Sequence, residues 1–160
     1  IHPALQVVHA GWEAADPLVY APRLSRRPLE GHPARDVYEP VGKGDSYFPI
    51  SVYDAIATAY GHEQAGAEVW PSMQASLKLV GREGLRSYPI VDNLESAASS
   101  KEERYTGVVV QYEGDGIYDS HAIAFQLDAV KFQYACFIDS LFRSGVATVP
   151  APGKPGEPCP

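Results

Sequence analysis

Seven prolines stand in the first 50 residues, at positions 3, 17, 22, 28, 33, 40 and 49. A proline lacks the backbone donor and blocks a helix interior, so this stretch holds no long helix and breaks any strands into short pieces. Leu18-Val19-Tyr20 and Val37-Tyr38 are the segments where short edge strands fit. The same stretch carries the basic cluster Arg23, Arg26 and Arg27. Ser25-Arg26-Arg27 has the form of a dibasic processing site, but Pro28 behind it obstructs most such proteases, and a solvated basic loop is the plainer reading.

Regular patterning begins after the prolines. Ser51 is placed to cap a helix running through Ala65, with Asp54 completing a capping box and Val52, Ile56, Ala59, Tyr60 and Glu63 at helical spacing. Gly66 is placed to end it. From Glu68 the period becomes that of strands: 68–79 reads as one or two strands, 80–84 as a turn, 85–91 as a further strand and 92–104 as a polar linker. Tyr105 to Tyr112 is rich in β-branched residues and reads as a central strand, with a hairpin signal at Glu113-Gly114-Asp115-Gly116. Beyond it Tyr118, Ser120, Ala122 and Ala124 alternate with Asp119, His121, Ile123 and Phe125. Residues 130–138 fit two periods, a strand through Val130, Phe132, Tyr134, Cys136 and Ile138 or a helix through Val130, Tyr134, Phe137 and Leu141.

With 160 residues, 45% of them hydrophobic, the chain suits one domain: a proline-rich segment 1–47, a core 48–145 and an irregular Pro/Gly-rich tail 146–160. The formal charge of −7 gives no general attraction to phosphate backbones, although a local RNA site is compatible with it. No apolar stretch approaches membrane-spanning length. Ile1-His2-Pro3-Ala4 has neither a basic start nor an apolar leader core, and the missing initiator Met suggests a processed or trimmed chain. Cys136 and Cys159 form an even pair compatible with a disulfide in a secreted protein. Such a bridge contributes about 3 kcal/mol in the chain-entropy model. The alternative is one buried thiol and one exposed tail thiol.

The order of the helix, Val69-Trp70-Pro71-Ser72, Ser87-Tyr88-Pro89-Ile90, the strand at Thr106-Gly107-Val108-Val109-Val110 and the alternating stretch 118–125 resembles the fungal guanyl-specific ribonucleases. It also resembles the ribonuclease-like effectors secreted by plant-pathogenic fungi. The resemblance covers about 48–138 and implies an α+β fold, one main helix packed across an antiparallel sheet with 130–138 as its last strand. Those enzymes need a base, an acid and cationic donors for the phosphate. Laid on this chain, the family's functional positions fall at Trp70, Ser72, Ser87, Val108 and at or near Ala124, none of which supplies that chemistry. The resemblance therefore implies a pseudoenzyme with no catalytic residues of the family type. It would be a secreted virulence effector, able to act inside host cells, that binds a host plant protein and is open to recognition by an immune receptor, with RNA a weaker partner.

An enzymatic alternative centres on His121 with Asp119, two residues apart and so on one face of a strand, in a ribonuclease with a rearranged site. Asp115 lies close in sequence, but three or four ligands are usual for a metal and no further His or Cys cluster supports one, so neither metal nor cofactor is expected. Ser72 or Ser87 with His121 lacks the Gly-x-Ser-x-Gly elbow of a hydrolase triad, and Gly42-Lys43-Gly44-Asp45 lacks the length of a phosphate loop. The ten tyrosines, with Trp12 and Trp70, suit a recognition surface and strand filling equally. For a binding module, the contact surfaces are expected at 80–86, 92–104, 113–117 and Arg23 to Arg27.

Overall fold

The computed structural model describes residues 3–97 and 103–160, so part of the expected 92–104 linker lies outside the described residues. Two short helices, α1 (Pro3–Trp12) and α2 (Pro17–Leu24), occupy the proline-rich start. Asp16 explains α2: its carboxylate accepts from the Leu18 amide at 2.9 Å, and Pro17 takes the first helical position, where a missing donor costs nothing. Leu18-Val19-Tyr20 is therefore helical and not an edge strand. Val37–Lys43 forms β1, which lies at an edge of the main sheet, where Pro40 is tolerated.

There follow α3 (Ile50–Tyr60), β2 (Glu63–Ala65), α4 (Ser72–Lys78), β3 (Leu85–Arg86), β4 (Ile90–Val91), β5 (Leu94–Glu95), β6 (Arg104–Tyr105) and β7 (Gly107–Glu113). A 3-10 turn at Ser120–Ala122 leads into α5 (Ile123–Gln126) and α6 (Asp128–Ser144), and β8 (Thr148–Val149) is the last element. The helix expected from Ser51 stops at Gly61, whose left-handed backbone lets its amide reach the Ala57 and Thr58 carbonyls. Pro49, not Ser51, stands at its N-terminus, and Asp54 is buried and bonded to Trp70 and Ser72 in place of the capping box.

The chain mixes helix and strand as expected, but the main sheet is parallel. Its order is β1-β7-β2-β3, and each neighbouring pair runs the same way. Antiparallel pairing is confined to the two-stranded sheets β4-β8 and β5-β6. A parallel pair needs a crossover, and helices supply it: β1 reaches β2 through α3, passing over β7. The 113–116 segment is accordingly no hairpin. Asp115 accepts the Ile117 and Tyr118 amides and Asp119 accepts that of His121, so 118–125 coils into helical turns with no strand to pair with. Residues 68–79 likewise yield α4, and 130–138 take the helical of their two periods in α6.

Helices cover both faces of the sheet. Val41 and Val109 pack on one face against Ala57 of α3 and against Trp70, Met73 and Leu77 at α4. Val108, Val110 and Ala65 pack on the other with Ile90, Val149, Tyr38, Tyr112 and Phe137 of α6. The largely irregular residues after 145 are tied to the core: β8 pairs with β4, Gln133 donates to the Pro150 carbonyl at 2.7 Å, and a disulfide joins Cys136 to Cys159.

Candidate acid–base site

β1 and β7 lie side by side and parallel, but the chain leaves them toward opposite faces, to α3 from one and to α5 and α6 from the other. In parallel sheets such a divergence marks the place outside the carboxyl ends of the strands where ligands usually bind. Two loops meet there, 44–49 and 114–119. Glycine allows the meeting, because a Cβ on Gly42 would run into the backbone and side chain of Ser120, and one on Gly114 into the Ser120 hydroxyl.

The meeting joins Asp45 to His121. Asp45 accepts the Tyr47 amide at 2.7 Å and the Phe48 amide at 2.9 Å, a turn that delivers the chain into α3, and it also accepts the Tyr53 hydroxyl from α3. Its second oxygen receives His121 Nδ1 at 3.0 Å. The carboxylate side chain is fully buried while 44% of the imidazole is exposed. Burial opposes charge on Asp45, yet the bonds from Tyr53, Phe48, His121 and Tyr47 outweigh it and hold the carboxyl below its usual value. Burial, followed by the contact with Asp45, pushes the Tyr53 hydroxyl up and keeps it a donor.

With Nδ1–H committed to a carboxylate, the neutral ring presents an unprotonated Nε2, which bonds to nothing among the described residues. The ring is flanked by Tyr47, centroids 4.6 Å apart, and Phe48, at 5.4 Å. Asp119 sits beside it but holds the loops, not the imidazole: it accepts the Ser46 amide at 3.3 Å and the His121 amide at 2.8 Å. Bonds from Ser46 and His121 keep its carboxyl below the ordinary value too. The carboxylate bonded to the His121 ring is thus Asp45, and Asp119 bonds to backbone amides of the two loops. The signal missed in the sequence was Asp45 ahead of Tyr47-Phe48-Pro49, a turn-forming aspartate at a helix entry.

The residues aligned by the resemblance do not gather on one face. Trp70 Nε1 donates to Asp54 at 3.0 Å and Ser72 Oγ to the same carboxylate at 2.6 Å, both on the α3–α4 side. Val108 is buried on the opposite face, Ser87 is exposed after β3, and Ala124 lies in α5. Neither serine bonds to His121. Among the described residues no group of three or more His, Cys, Asp or Glu side chains is placed to hold a metal ion, and no helix is long and apolar enough to cross a membrane. Comparison of the chain with protein-family models, curated proteins and solved structures finds no match.

Proposed function

We propose that this chain is a secreted protein that acts through proton transfer at His121, oriented by Asp45. The observation that carries this reading is the 3.0 Å bond from His121 Nδ1 to a buried carboxylate at the carboxyl ends of two parallel strands. An imidazole held this way takes a proton through Nε2 from water or a hydroxyl and returns it to a leaving group, while the carboxylate steadies the imidazolium between the two steps. The Cys136–Cys159 bridge supports export, since such bonds persist in oxidising compartments. The test is hydrolysis across a panel of esters, phosphodiesters and RNA by the wild type and His121→Ala. Turnover lost in the variant at unchanged melting temperature is expected; a panel with no His121-dependent turnover rejects the reading.

A second reading keeps the chain as a secreted virulence effector of a plant-pathogenic fungus, binding a host protein and met by an immune receptor. It does not depend on a ribonuclease scaffold. It is favoured by the apolar side chains that the His121-bearing segment turns to solvent, Ile117, Tyr118 and Phe125, the last 82% exposed. Patches of this kind mark protein-binding surfaces. Replacing Tyr118 and Phe125 by Ser should abolish the response of host tissue to the infiltrated protein without changing its folding or its turnover. An unchanged response removes this reading.

A further inference from the structure

We infer that the His121 site takes an uncharged carboxylic ester with an apolar acyl or aryl group, and not a phosphodiester. This rests on the acid–base reading above. The charges around the imidazole are of one sign. Asp45 lies behind the ring, Asp119 bonds to the His121 amide, and Asp115 turns the same loop. The cation at the strand ends, Lys43, is spent on Glu113 across β1 and β7 at 2.9 Å. No ion pair or hydrogen bond of the described residues brings an arginine or lysine to His121, Asp45 or Asp119.

A phosphodiester would place a full negative charge, and more in its transition state, against these carboxylates with nothing to clamp it. An uncharged ester meets no such repulsion on entry. Tyr47, 71% exposed, and Phe48 beside the ring offer it an apolar surface. An ester also suits a site with neither a serine nor a cysteine bonded to the imidazole, since water is nucleophile enough once its proton is taken. Water adds to the carbonyl carbon as one of its protons passes to Nε2. The tetrahedral intermediate then collapses, the bond to the alcohol oxygen breaks, and Nε2–H returns that proton to the departing alkoxide. The products are one carboxylic acid and one alcohol, and the imidazole ends as it began.

The experiment compares multiple-turnover hydrolysis of p-nitrophenyl butyrate and bis(p-nitrophenyl) phosphate, which share a leaving group and differ in charge. The wild type should turn over the butyrate with a kcat/KM far above that for the phosphate. His121→Ala should lower the butyrate kcat/KM by about 100-fold or more. Asp119→Asn, which removes a charge and keeps the shape, should narrow the preference between the two by lowering KM for the phosphate. His121-dependent cleavage of the phosphate at equal or higher rate overturns this inference and leaves the acid–base reading standing. Absence of His121-dependent turnover of either probe overturns both. A preference unmoved by Asp119→Asn in a normally folded variant overturns the electrostatic basis of the selection.

Discussion

Among the described residues stand two histidine–carboxylate pairs of nearly equal length and opposite circumstance. His62 Nδ1 lies 2.9 Å from Glu39, is fully buried, and has its ring stacked on Tyr60 at 4.7 Å. His121 Nδ1 lies 3.0 Å from Asp45 with its ring open to solvent. In the inner pair Glu39 Oε1 and His62 Nε2 are buried and meet no partner among the described residues, whereas the outer carboxylate has its bonds filled by two amides and a hydroxyl. Their positions along the sheet differ as well: Glu39 sits within β1, Asp45 just past its carboxyl end. A short bond between the same two groups is thus sealed in the core in one place and open to solvent in the other, and access to Nε2 separates them.

Breaking each pair should expose that difference. Glu39→Ala leaves the buried His62 Nδ1 without its hydrogen-bond partner and should cost about 1–3 kcal/mol in denaturant unfolding. Removing the bridge with Cys136→Ser and Cys159→Ser should cost about 3 kcal/mol by chain entropy. The hydrolysis proposed for His121 should survive that change at temperatures where the variant stays folded, because the bridge ties down α6 and not the 44–49 loop. Asp45→Asn should cost about 1–2 kcal/mol, as its acceptors weaken, and should lower kcat more than KM. His121→Ala should change stability by no more than about 0.5 kcal/mol while abolishing turnover.

The pairs should also answer pH with opposite sign. Asp45 has a folded value below the ordinary one, so its contribution is complete above the unfolded carboxylate range of about 3.9 and is lost as pH falls through the lowered value. The penalty of Asp45→Asn should therefore grow with rising pH and level off. Burial raises Glu39, against the lowering effect of His62, so its contribution is complete below about 4.3 and is lost as pH rises through the folded value. The difference between wild type and Glu39→Gln should then shrink with rising pH. Melting curves of both variants over an acidic pH series check the two signs, and a common sign would merge the pairs into one class.

The central strand was legible in the sequence because Val108, Val109 and Val110 combine β-branching with burial on both faces, a signature that needs no knowledge of partners. The helix that starts near Ser51 was legible through its spacing, but its end was not, since the pattern runs on to Gly66 whereas the chain turns at Gly61. Strand direction was not. The same apolar run pairs either way, and the choice is made by connections that a local period does not reveal. Tyr118 to Phe125 alternates over too few residues for the period to exclude a helix, and the local bonds of Asp115 and Asp119 decide the matter. His121 was singled out, but its partner lies 76 positions away, and only the adjacency of β1 and β7 brings Asp45 to it.

The bridge from α6 to the penultimate residue has a consequence for how the molecule comes apart. Any protease that nicks the backbone between positions 136 and 159 produces two pieces that still travel together on a gel, parting only when a reductant is added. Damage there would be silent in an oxidising fluid and revealed on entry into a thiol-rich one.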